Sequence, residues 1–105
     1  MKIDEIEQLF EQFEAVAAQI EDVECWSARA LQKLLGYAKW ENFEKVIQKA
    51  KEACQNAGET IEYHFPDVRK TIPMPKGAEK EIDDILLTRY ACYLVAPYPI
   101  ILITY

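Results

Sequence analysis

The chain has 105 residues, of which 50% are hydrophobic and 29% charged, and its formal net charge is −6. We expect one small domain over residues 1–105, because this composition excludes a disordered tail and a membrane protein. The three cysteines, an odd number without a Cys-x-x-Cys motif, favour reduced thiols over a disulfide framework. The acidic start MKIDEIEQLF differs from a signal peptide, so we expect a cytoplasmic protein.

The charge is distributed unevenly along the chain. Residues 1–24 have a net charge of −7, residues 25–51 of +4 and residues 52–105 of −3. A protein with a net negative charge repels nucleic acid at long range, but a basic segment between acidic flanks can still bind it locally. Nucleic acid therefore stays among the possible partners.

Apolar residues recur at helical spacing at the start of the chain and predict an amphipathic helix over residues 3–20, within an acidic segment, 1–22. Its apolar stripe covers either the core of the chain or a partner. Residues 24–26 suit a short strand.

A second helix is predicted over residues 28–35, with Ser27 as its N-cap and Gly36 as its stop. A third helix over residues 41–57 ends at Gly58 and buries one apolar face. Two helices joined by a tight turn with a glycine are typical of a helix-turn-helix-like unit, but also of ordinary helical bundles.

Two strands, 67–72 and 79–87, are separated by the turn sequence PMPKGA and predict a hairpin. The segment TIEYHF before them is ambiguous. Thr88 suits the N-cap of a last helix, RYACYLVA, which Pro97 stops. These elements predict an α+β fold with four to five helices and a small antiparallel β-sheet, whose hairpin lies near residues 67–87.

Four stretches resemble the N-terminal part of the DNA-damage-inducible protein D family, which is similar to the Bro-N domains of phage antirepressors and viral Bro proteins. They are WSARALQKLLGYAKWENF (26–43), VIQKAKEACQNAG (46–58), HFPDV (64–68) and EIDDILLTRYACYLVA (81–96). Several matches in the same order are more specific than one short motif. The resemblance implies a non-enzymatic DNA-binding or regulatory module of a DNA-damage-inducible or prophage-type protein.

The chain departs from this family in two places. Ala38 stands where we expect a serine, which removes the capping box that Glu41 would complete at the start of the third helix. After the family-like core, residues 23–96, an apolar tail, residues 97–105, replaces the expected polar turn and long helical region. We therefore expect a truncated member, and a tail that pairs with a strand or packs against another copy.

The basic residues of the second and third helices and of the hairpin loop are the candidate nucleic-acid-binding set. Gln48 can pair with adenine, while lysines and arginines mostly contact phosphates. The set is Arg29, Lys33, Lys39, Lys45, Gln48, Lys49, Lys76 and Lys80. Any solvated helix also carries lysines, so both interpretations stay open.

The alternative is a protein-interaction module that acts on the DNA-repair machinery or associates with a second copy through the acidic first helix. Its candidate partner-binding residues form the apolar stripe of that helix: Ile6, Phe10, Phe13, Ala17 and Ile20.

No catalytic, metal or cofactor site, and no small-molecule substrate, is predicted. His64 lacks a second ligand, Cys54 lies in an apolar stripe, and Asp83 and Asp84 must point to opposite faces of a strand. Four aromatic residues are expected in the core rather than stacked on unpaired bases: Trp26, Tyr37, Trp40 and Phe43.

Overall fold

The structure is a computed structural model that describes residues 3–95, apart from the side chain of Ile6. These residues form the predicted α+β fold, with five α-helices and four strands. In chain order the elements are α1 Ile3–Ala15, β1 Ala18–Ile20, β2 Val23–Ser27, α2 Ala28–Leu34, α3 Trp40–Asn56, α4 Ile61–His64, β3 Asp67–Pro73, β4 Glu79–Thr88 and α5 Arg89–Val95. The predictions for Pro97 and the apolar tail lie outside the described residues.

The strands form one antiparallel sheet in the order β1-β2-β4-β3. Between β2 and β4, Trp26 pairs with Leu87, and both side chains are fully buried. The predicted hairpin of β3 and β4 is confirmed, with a short 3₁₀ helix, Pro75–Gly77, at its tip. The ambiguous segment TIEYHF forms the short helix α4.

The prediction of one helix over residues 3–20 is wrong beyond Ala15. Residues 18–20 form β1, which pairs with β2 across a two-residue turn, Glu21 and Asp22, with φ angles of 51° and 66°. Positive φ at both central residues matches the twist of a tight hairpin. The apolar spacing continues past Ala15, but backbone pairing with β2 decides the conformation, and this pairing is invisible to local periodicity.

A single core joins the sheet to the helices. Phe13 of α1 stacks on Trp26 of β2, with ring centroids 4.4 Å apart, and the Trp26 indole Nε1 donates to the Phe13 carbonyl at 2.7 Å. Phe43 and Ile47 of α3 and Cys92 of α5 are fully buried in the same cluster. The first helix therefore covers the core of its own chain.

The predicted helix boundaries depend on local caps, and most are confirmed. The Ser27 hydroxyl accepts from the N–H of Ala30 at the start of α2, and the Thr88 hydroxyl accepts from that of Ala91 at the start of α5. The N-cap of α3 is Lys39, which makes no side-chain capping bond, in agreement with the missing capping box.

We expect the three cysteines to react slowly with thiol reagents in the native protein. All are unpaired and buried, and burial raises the pKa of Cys25, Cys54 and Cys92, so the reactive thiolate is scarce. Labelling at pH 8 should be slower by about tenfold or more than in denaturant. A thiol that reacts equally fast in both conditions would contradict its burial.

Candidate nucleic-acid interface

The predicted contact face of α3 is open to solvent. Lys45, Gln48 and Lys49 are all exposed, while Phe43 and Ile47 hold the opposite side of the helix in the core. Neither lysine is buried under the acidic helix α1. The core therefore fixes α3 in an orientation that leaves this face available to a partner.

Carboxylates offset the charge of the α3 face. Glu41 lies one turn before Lys45, and Glu52 lies three residues after Lys49, and both glutamates are exposed. Two positive and two negative side chains give this surface little net attraction for phosphate. Most of the electrostatic affinity for a nucleic acid must then come from other elements.

Aromatic side chains fix the turn between α2 and α3. Trp26 and Phe43 are fully buried, as expected for core residues. Tyr37 and Trp40 are half-buried, and their ring centroids lie 5.1 and 6.2 Å from that of Phe43. Gln32 Nε2 donates to the Tyr37 carbonyl at 3.1 Å. These contacts hold the two helices in a defined geometry.

Arg29 is oriented by contacts within the chain. Its guanidinium carbon lies 4.2 Å from the centroid of the Trp40 ring, and its Nε donates to the carbonyl of Asp83 at 2.8 Å. Arg29 is half-buried between α3 and the hairpin. A cation–π contact and a hydrogen bond to the main chain therefore preorganise this side chain.

An acidic cleft of about 720 Å³ lies between the start of α3 and the hairpin. Five carboxylates line it against two guanidinium groups, namely Glu44, Asp67, Glu81, Asp83 and Asp84 against Arg29 and Arg69. Lys76 and Lys80 are exposed at the far end of the hairpin. The cleft thus interrupts any basic groove that would run from α3 to these two lysines along this side.

Asp83 and Asp84 point to opposite faces of β4, as predicted. The Asp83 side chain is 87% exposed, whereas Asp84 is only 3% exposed. Asp84 accepts a hydrogen bond from Ser27 Oγ at 2.5 Å and from the backbone N–H groups of Arg29 and Ile85 at 3.2 and 2.8 Å. Asp84 thus anchors the start of α2 to the hairpin, a role that was not predicted from the sequence. The one feature of the sequence that could have indicated this role is the position of the Asp84 carboxylate in the apolar half of β4.

Arg89 joins three elements, α5, α1 and β2. Its Nε and Nη2 donate to Glu24 at 2.9 and 3.0 Å, and Nη2 also donates to Glu14 at 2.9 Å. The guanidinium carbon lies 5.1 Å from the Trp26 ring centroid. Hydrogen bonds to Glu24 raise the pKa of Arg89 further, although burial opposes them, so this side chain stays charged. This network was not predictable from the sequence, because Arg89 lies far along the chain from both glutamates.

The His64 side chain contacts other side chains of the fold through both ring nitrogens. Its Nδ1 lies 2.6 Å from the Thr88 hydroxyl, and its Nε2 lies 3.6 Å from a carboxylate oxygen of Glu59. Over residues 3–95, no group of three or more His, Cys, Asp or Glu side chains is arranged to hold a metal ion. Within the same range no helix is both long and apolar enough to cross a bilayer.

The candidate partner-binding residues do not form one helical stripe. Phe13 is 1% exposed, and Ala17, which follows the end of α1, packs against the core. Phe10 is half-buried on α1, and Ile20 lies on β1 with 46% of its surface exposed. The side chain of Ile6 lies outside the described part of the chain. Phe13 is therefore buried in the core of its own chain.

The chain is similar to known proteins over most of its length. Residues 15–97 match the BRO family, N-terminal domain. DNA damage-inducible protein D of Escherichia coli (strain K12) is 43% identical over 93 residues, which cover 89% of this chain and 33% of that relative. The chain thus spans about a third of the length of the curated relative. No solved structure matches it significantly.

Proposed function

This chain belongs to the family of BRO N-terminal domains, and we propose that it is a non-enzymatic DNA-binding or regulatory module of a DNA-damage-inducible or prophage-type protein. The exposed face of α3 is the observation that carries this proposal. Gln48 is placed between two lysines on that face, with the opposite side of the helix held in the core. A rigid helix with such a face suits a major groove, where glutamine pairs with adenine and lysines contact phosphates.

Removing both lysines of this face should weaken DNA binding. We expect the Lys45→Gln/Lys49→Gln variant to raise the Kd for a labelled duplex by roughly tenfold and to lower the slope of log K against log salt by about 2. Fluorescence anisotropy at about 50 mM and about 200 mM salt measures both quantities. The same titration with single-stranded DNA establishes which form is preferred.

Lys51 provides a matched control for this experiment. It lies on the same helix, two residues after Lys49, and points to a different side because a helix turns by about 100° per residue. Lys51→Gln removes one positive charge and should change the Kd less than Lys49→Gln does. Absent or salt-insensitive binding by the unmodified chain would refute the proposed function.

Protein interaction is a second candidate function, supported by exposed apolar surface near the first helix. Ile3 is 74% exposed on α1, and Val16 and Ile20 are also exposed. Burial of these side chains against a partner or a second copy would stabilise a complex. Light scattering tests self-association, and a mass of one chain at high concentration would contradict it.

A further inference from the structure

A second cleft is lined by the end of α1, by α2 and by Lys70 of the hairpin, and it combines basic with apolar side chains. Its volume is about 450 Å³. Lys33 and Lys70 contribute its exposed ammonium groups, and Arg29 also lines it, although the Arg29 guanidinium is held against Trp40 and Asp83. Its other lining residues carry no charge: Gln12, Val16, Ala30 and Leu34. We propose that this cleft, extended along the hairpin by Lys80, binds the phosphodiester backbone of the nucleic acid. The inference rests on the proposed function and adds Lys70 to the binding residues.

The register of the hairpin gives it two faces of opposite charge. Side chains directly opposite one another share a face, and successive residues alternate between faces. Lys70 pairs with Ile82, and Ile72 pairs with Lys80, so two lysines lie on one face with apolar neighbours. The same face ends at Asp84, whose carboxylate is buried against the start of α2. This face is therefore turned toward α2.

The opposite face of the hairpin is acidic. Arg69 pairs with Asp83, Thr71 with Glu81, and Pro73 with Glu79. The Arg69 guanidinium lies 3.3 Å from Glu81 and 3.7 Å from Asp83, so its charge is compensated. A polyanion is attracted to the lysine face and repelled by this one.

The lysines of the cleft are available to a ligand. Lys33, Lys70 and Lys80 are exposed, and the ion pairs within residues 3–95 do not involve them. The cleft lining contains no aromatic side chain on which a base could stack. Its chemistry therefore suits the sequence-independent backbone and supplies the positive charge that the neutral face of α3 lacks.

The Lys33→Gln/Lys70→Gln variant tests this inference in the full chain. We expect its Kd to rise by roughly 10- to 100-fold for two duplexes of unrelated sequence alike, with a salt slope lower by about 2. Both lysines are exposed, so the variant should fold, as unchanged circular dichroism and urea midpoint would verify.

Arg69→Gln is the matched control, because it removes one positive charge from the residue next to Lys70 but on the acidic face. Its Kd should stay within about twofold of that of the unmodified chain.

If the double variant binds as tightly as the unmodified chain, or if Arg69→Gln weakens binding as much as Lys70→Gln, the inference fails while the proposed function stands. Displacement of the duplex by a glutamate-rich peptide of equal charge would assign the cleft to an acidic protein and overturn the inference. Absence of any DNA binding by the unmodified chain refutes both.

Discussion

Asp84→Ala is expected to destabilise the fold by about 3 kcal/mol. The substitution removes a buried carboxylate that accepts hydrogen bonds from Ser27 Oγ and from the N–H groups of Arg29 and Ile85. Hydrogen bonds to a charged acceptor contribute about 1.5–3 kcal/mol each, and their loss is not additive. The carboxylate also lies at the N-terminus of α2, where negative charge is favoured.

Urea denaturation followed by circular dichroism measures this loss, and Asp83→Ala is its control. Asp83 is the adjacent residue on the exposed face of β4, so its replacement should change the free energy of unfolding by less than about 0.5 kcal/mol. Equal effects of the two substitutions would contradict the anchoring role of Asp84. Asp84 ties the hairpin to α2, and these are the two elements that carry Lys70 and Lys33 of the second cleft.

Arg89→Met is expected to lower the free energy of unfolding by about 2–3 kcal/mol. Arg89 connects α5 to Glu14 of α1 and Glu24 of β2 through four hydrogen bonds. Breaking a fully buried ion pair costs about 3–5 kcal/mol, but the Arg89 side chain is 29% exposed, so solvent reduces the loss. One nitrogen, Nη1, is buried and has no hydrogen-bond partner among the described residues, which lowers the net contribution further.

A rescue experiment separates the ion pairs from simple packing. In the Arg89→Met background the two carboxylates are left close together without a cation. Adding Glu14→Gln and Glu24→Gln should recover part of the lost stability, because neutral amides avoid this repulsion. Urea midpoints of the three proteins provide the measurement. No loss in Arg89→Met would show that the network does not stabilise the fold, and a loss without recovery in the triple variant would assign the effect to packing rather than to the ion pairs.

The fold was largely predictable from the sequence, whereas the arrangement of the candidate site was not. The exposed position of Lys45, Gln48 and Lys49 follows from helical periodicity alone, since Phe43 and Ile47 mark the buried side of α3. Lys70 was not among the predicted binding residues, because its place in one cleft with Lys33 depends on how the hairpin packs near a distant helix. The acidic cleft between α3 and the hairpin likewise arises from residues far apart in the chain.

By itself, the sequence determined the local elements of this protein. The caps at Ser27 and Thr88 and the turns at Gly36 and Gly58 depend on residues within a few positions of each other, and their chemistry can be recognised in a short segment. Tertiary structure alone decided the long-range pairings. The first helix ends at Ala15 because β1 pairs with β2. The hydrogen bond between Ser27 and Asp84 joins residues that are 57 positions apart in the sequence, and the one between Glu14 and Arg89 joins residues that are 75 positions apart. Contacts over such distances depend on how the elements pack, and local periodicity carries no information about packing.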